Sequence, residues 1–122
     1  MTVSIPLSSD HARAFAEHWI AAWNAHDLDA ILRHYAPGVV LTSPVAARIT
    51  GEATVTGKEA LGRYFDRGLE LFPNSRFTLL DVFTGFSSIV LVFTNQSGTR
   101  TAEWMQFSED GQVIRVAAQY ST

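Results

Sequence analysis

Glu103 is the residue of this 122-residue chain best placed to do chemistry. It sits in the run Thr101-Ala102-Glu103-Trp104-Met105-Gln106-Phe107, on the phase of Met105 and Phe107. A carboxylate turned into an apolar cavity has its charged form destabilised. That lifts its pKa towards the range where one group can both take and give a proton. No lysine or arginine lies within two residues of it on its strand, Arg100 being three away. Desolvation is expected to outweigh attraction to a cation. The alternative is a structural glutamate paired with an arginine or a tyrosine hydroxyl. Tyr120, Tyr35 and Tyr64 offer phenolic donors to a bound carbonyl, although such tyrosines also serve as core residues with a polar tip at the edge. Ser43, Thr42 and Asn95 add candidate hydrogen-bonding groups. Asp81 is a pocket polar group or a rim or interface ion-pair partner.

Other chemistries find no residues to carry them. The chain has no cysteine, hence no disulfide and no thiol nucleophile. Its four histidines all precede residue 35, and none falls in an H-x-H or H-E-x-x-H spacing, so no metal is expected. The stretch Gly51 to Lys58 looks like a phosphate loop only at a glance. Five residues separate its glycines instead of four, and Glu59 stands where serine or threonine is required. A nucleophile elbow and a dinucleotide turn are also missing, so no cofactor is expected. With a net charge of -3 and nine scattered Lys and Arg, there is no basic stripe for nucleic acid. Neither a membrane-length apolar run nor a signal-peptide pattern occurs, and a cytoplasmic chain is expected.

The elements that must position these groups are legible in outline. One domain over 1–122 is expected, large enough for a real core. Ser8 or Ser9 should cap a first helix, with Asp10 in its first turn. Ala12, Phe15, Ala16, Trp19, Ile20 and Trp23 make its apolar face. A break at Asn24 to His26 leads to a second helix capped by Asp27, with Leu28, Ile31, Leu32 and Tyr35 as its stripe and Pro37-Gly38 as its stop. Val39 to Ser43 reads as a strand closed by Pro44, and 45–56 as a loose hairpin or pocket rim. Thr56-Gly57-Lys58-Glu59 matches a capping box for a third helix, with Leu61, Tyr64, Phe65, Leu69 and Phe72 facing the core. Four strands follow at 75–84, 87–95, 99–108 and 112–121, joined by hairpin turns at Gly85, Ser97-Gly98 and Asp110-Gly111.

The strands are apolar on both faces, as in Ile89, Leu91 and Phe93 against Val90 and Val92. A sheet with one wet face alternates more cleanly. Helices should cover one face and a second copy of the chain the other, with Trp104 in that homodimer contact. On the inner face Leu41, Met105, Phe107, Val116, Ala118 and Tyr120 converge beneath the first helix. They predict an apolar cavity, with Trp19 as part of its wall.

The helix-turn-helix AWNAHDLDAILRHYAPGVV, the Leu41-Thr42-Ser43-Pro44 strand end, the Gly57-Lys58-Glu59-Ala60 helix start and the closing pair AEWMQFSEDGQVIRVAAQY together resemble the nuclear transport factor 2-like superfamily, specifically polyketide cyclase SnoaL-like proteins. The resemblance spans about 11–121. It implies an α+β fold in which a cone-shaped, curved antiparallel sheet wraps around three helices from the N-terminal half. It also implies a cofactor-independent isomerase, cyclase or dehydratase, or a non-catalytic binder or dimerisation module on the same scaffold. Trp19 matches the helix-one tyrosine of the fold's steroid isomerases, Ser43 their basic aspartate and Glu103 their second aspartate. The histidine partner of the cyclases has no counterpart, nor does the arginine of the epoxide hydrolases. A serine cannot shuttle a proton at neutral pH, so the isomerase mechanism does not carry over at Ser43. The expected ligand is a small apolar molecule, with Glu103 as acid-base group and Trp19, Tyr35, Ser43, Tyr64, Met105, Phe107, Val116, Ala118 and Tyr120 around it.

Overall fold

The computed structural model describes residues 8–122. Helix α1 (Ser9–Asn24) is capped by the Ser8 side chain, which accepts from the His11 N–H. Helix α2 (Leu28–Leu32) is capped by Asp27, which accepts from Ala30 N–H. The chain then forms β1 (Tyr35–Thr42), α3 (Pro44–Thr50), β2 (Thr54–Thr56) and α4 (Lys58–Leu71). It closes with β3 (Thr78–Gly85), β4 (Ser88–Thr94), β5 (Arg100–Phe107) and β6 (Val113–Tyr120). Among the described residues this makes an α+β fold with six strands ordered β2-β1-β6-β5-β4-β3. The hairpin strands β3 to β6 are antiparallel as expected, but the sheet is mixed because β1 runs parallel to β6. A parallel pair needs a long crossover, here everything between Ser43 and Gln112.

Several boundaries differ from the sequence reading. Tyr35 belongs to β1, not α2, because the His34 carbonyl accepts from Val113 N–H and draws the chain into the sheet. Pro37-Gly38 therefore does not end a helix. It lies where the β1–β6 register shifts between Tyr35 and Val40, a place where a missing N–H costs no ladder bond. The capping box does not form either. Thr56 is committed to pairing with Val40, and Gly57, at φ 91°, caps α4 without a side-chain bond. That left-handed backbone suits glycine, and its N–H donates to the Val39 carbonyl at 2.7 Å.

The segment 45–56 is a fourth helix and a short edge strand. Ser43 accepts from Val45 N–H, Pro44 opens α3, and Gly51 ends it at φ 87°. Phe72, expected on the core face of α4, is 48% exposed, while Leu61, Gly62 and Phe65 are buried.

The core lies between the helices and one sheet face. Trp19, Ile31, Tyr35, Leu61, Ile89, Leu91 and Met105 are fully buried there. In β6 the phase slips. Gln106 pairs with Arg115 but Phe107 with Val113, so Val113 and Val116 both point inward and Ile114 does not. Such bulges bend strands and increase twist, which curls the sheet over the helices. Where α1 ends, Asn24 holds the Phe77 backbone by both N–H (2.7 Å) and C=O (2.9 Å). His26, at φ 54°, bonds the Ser75 carbonyl at 2.9 Å. These contacts pin the approach to β3 against α1.

Candidate active site

A cavity of about 660 Å³ opens at the end of the sheet where β1 runs into α3 and β4 turns into β5. Trp19 and Trp23 wall it from α1, Tyr64, Phe65 and Leu69 from α4, and Phe77 and Phe93 from the sheet. The aromatic wall is built as a cluster. Trp19 stacks on Phe77 at 6.0 Å between ring centroids, tilts against Phe93 at 5.3 Å, and Phe77 meets Phe93 at 4.7 Å. Trp23 packs edge-on to Phe65 at 4.9 Å. Its indole N–H is buried without a hydrogen-bond partner among the described residues.

Strand pairing places the polar groups. Glu103 pairs with Ala118, and Thr101 with Tyr120, so all four share the inner face. Thr42 pairs with Ala117, which brings the next residue, Ser43, beside Ala118. Glu103 is 9% exposed, and burial pushes its carboxyl up to about 7, with no cation or hydrogen bond offsetting the cost. Among the described residues the ion pair is Arg63–Glu59, on the surface of α4 and remote from this site. Among the described residues Glu103 has no salt-bridge or hydrogen-bond partner.

Three phenols surround it. Burial raises the pKa values of Tyr35, Tyr64 and Tyr120 above the usual phenol range, and the Glu103 charge raises them further. All three therefore keep their protons at neutral pH. Tyr64 and Tyr120 line the cavity with Ser43, whose side chain partly offsets the rise in both phenol pKa values. Ser43 is itself 2% exposed and fixed as the cap of α3. A carboxyl of tunable charge beside a set of neutral hydroxyls can exchange a proton with a ligand and hydrogen-bond a carbonyl or enolate oxygen.

Of the residues assigned to the site from sequence, Glu103, Trp19, Ser43, Tyr64, Ala118 and Tyr120 line the cavity, as does Leu41. Four others do not reach its wall. Met105 and Val116 are buried in the core, and Phe107 packs edge-on to Phe15 at 4.9 Å, nearer the other end of the sheet. Tyr35 lies beneath the wall, its hydroxyl accepting from Trp19 Nε1 at 2.9 Å. The reason is geometric: residues sharing a face are spread along the strand, and only one end of that face is open.

Asn95 lines the mouth, but its side-chain oxygen accepts from Ser97 and Thr99 N–H and so shapes the β4–β5 turn. Thr42 is exposed. Asp81 is also exposed, at a register shift in β3, and accepts from its neighbour's N–H.

Arg48, with Val45 and Ile49, was not foreseen as cavity lining. The signal was their i, i+3, i+4 spacing after Ser43-Pro44, which puts them on one helix face. Among the described residues no three His, Asp or Glu gather where a metal could sit, and no helix is long and apolar enough to cross a membrane.

Comparison with known proteins agrees with this architecture. The SnoaL-like domain family matches residues 16–119. A SnoaL-like protein of unknown function from Burkholderia thailandensis is 35% identical, with a TM-score of 0.93, over 97% of this chain and 100% of that one. A candidate isomerase of the SnoaL-like family from Agrobacterium tumefaciens is 14% identical, with a TM-score of 0.74, over 91% of this chain and 97% of that one. A nuclear transport factor 2-like protein of unknown function from Cytophaga hutchinsonii is 11% identical, with a TM-score of 0.69, over 90% and 89% of the two chains. The last two share the fold alone at such identities. Among curated proteins none matches. Family match, close structural likeness and element order agree: the chain is a member of the SnoaL-like family, with the nuclear transport factor 2-like fold.

Proposed function

We propose that the chain binds a small apolar molecule carrying a carbonyl group, or a polycyclic one, and moves a proton on it without a cofactor. One observation carries this reading. The Glu103 carboxyl lines a largely apolar cavity with no partner cation among the described residues, and burial pushes its pKa up to about 7. A group poised there serves as base in one step and acid in the next.

The ionised Glu103 takes a proton from the carbon next to the carbonyl. The C–H electron pair moves into an enolate whose oxygen accepts hydrogen bonds from Tyr120 and Tyr64. Where the ketone is β,γ-unsaturated the enolate is a dienolate, and Glu103 returns the proton at its γ-carbon as the double bond moves into conjugation, which is an isomerisation. Expulsion from the enolate of a β-hydroxyl, protonated by Glu103 so that it leaves as water, is a dehydration. Attack of the enolate carbon on a second carbonyl of the same molecule, whose oxygen takes the Glu103 proton, is a cyclisation. The test is exchange of α-protons in a panel of apolar cyclic ketones in D2O, followed by NMR. Glu103→Gln should slow the exchange about a hundredfold or more while ketone binding persists. Equal exchange by the two proteins would remove Glu103 as the base.

A non-catalytic apolar-ligand binding protein on the same scaffold is the second reading. Ser43, standing where the family resemblance would place a basic aspartate, favours it. It predicts tight binding of the same ketones by both proteins and exchange by neither.

A further inference from the structure

The cavity wall carries two charged side chains, one buried (Glu103) and one exposed to solvent (Arg48). Glu103 lies inward on β5, and Arg48 projects from α3 on the face it shares with Val45 and Ile49. Tyr64, Tyr120 and Ser43 line the same cavity. Both phenols feel both charges, Glu103 raising and Arg48 lowering their pKa values, whereas Arg48 does not offset the upward shift of Glu103. Arg48 is therefore near enough to the two phenols for its charge to reach them. It is exposed, and no carboxylate pairs with it among the described residues. Val45, Ile49, Leu69 and Phe72, which line the cavity with it, are apolar, so among the described residues Arg48 has no hydrogen-bond or ion-pair partner and borders an apolar space. The chain as a whole is acidic, at -3, so this cation is a local feature of the mouth.

We infer that Arg48 anchors an anionic group of the ligand, so that the cavity takes apolar acids: molecules with an apolar body and carbonyl inside, and one carboxylate or similar anion at the mouth. The inference rests on the cavity being a ligand site and adds the chemistry of its outer end. A guanidinium suits the role because its planar fork can give a carboxylate two parallel hydrogen bonds. The anion stays near water, where its desolvation cost is small, and the apolar body displaces water from the aromatic wall. The arrangement also orients the ligand. With the anion held at Arg48, the carbonyl falls beside Tyr64 and Tyr120, and the carbon next to it faces Glu103.

Two dyes that share one apolar body separate this inference from the cavity reading: anilinonaphthalene sulfonate and the uncharged phenylnaphthylamine. Both are titrated by fluorescence against the full chain and its Arg48→Met, Arg48→Lys and Ala118→Trp variants. Arg48→Met is expected to weaken the sulfonate dye about tenfold and to change the uncharged dye by less than about twofold. Arg48→Lys should restore part of the loss, and added salt should weaken the sulfonate dye alone. Naphthoate should displace the sulfonate dye better than naphthalenemethanol does. If the uncharged dye binds and the sulfonate dye is indifferent to Arg48→Met, the anchor is overturned and the cavity reading stands. If the sulfonate dye still binds to a folded Ala118→Trp variant as tightly as to the wild type, it sits outside the cavity and the anchor is likewise overturned. If neither dye binds, both readings fall.

Discussion

Trp19 and Tyr35 form a fully buried pair, the indole N–H donating to the phenol oxygen at 2.9 Å. The bond joins α1 to the first residue of β1, so it fixes the helix that walls the cavity to the strand that leads to Ser43. Tyr35→Phe should leave the Trp19 N–H buried and unpaired, at a cost of about 1–3 kcal/mol in denaturant unfolding. Ligand affinity should fall as well, because Trp19 is freed to turn. Unchanged stability would mean that water or another group satisfies the indole.

Glu103 should impose a pH-dependent cost on folding. Its folded pKa, about 7, exceeds the unfolded value near 4.5, so the folded state binds more protons than the unfolded chain between the two. Stability then falls as pH climbs from the lower value through the upper one, and the cost is absent in acid. Glu103→Gln keeps the shape and removes the charge. It should stabilise the chain by roughly 3 kcal/mol above pH 7 and have little effect below pH 4, read from urea midpoints. A variant less stable than the wild type at pH 7 would show Glu103 to be an anchoring ion.

Ala118 sits on the cavity wall beside Glu103 and is 7% exposed. Ala118→Trp should fill the space near the carboxyl at little cost to the fold, since an indole entering empty volume meets no overpacking. Binding of an apolar dye should drop about tenfold or more, with the loss of buried apolar surface open to it. A folded variant with wild-type dye binding would place the ligand elsewhere.

We propose a homodimer through the outer sheet face. Trp104 stands there between Val90 and Ala117 of the flanking strands, an apolar centre that the helices do not cover. Sedimentation equilibrium at micromolar concentration is expected to give twice the chain mass. Trp104→Asp should give a monomer, because a carboxylate in that contact would be desolvated without a partner. A monomeric wild type would dismiss this assembly.

The sequence by itself determined α1, the start of α2, the body of α4 and the hairpin strands. Their apolar spacing repeats over many residues, and capping or turn residues mark their ends, as Ser8, Asp27 and Gly111 do. Strand alternation also determined that Glu103, Ala118 and Tyr120 face inward, since side-chain direction in a strand is a local property. Tertiary structure decided what depends on partners distant in sequence. Pairing with Val113 made Tyr35 a strand residue, and pairing with Val40 took Thr56 from its capping role. Helix α3 escaped notice because it is short and carries Val45, Ile49 and Thr50, whose branched side chains favour strands. With α3 went Arg48, whose place at the mouth follows only once α3 packs beside α4. The division between wall and core was likewise invisible in sequence. Met105 and Ala118 lie on the same sheet face, and only the position of the helices above them closes one end and opens the other.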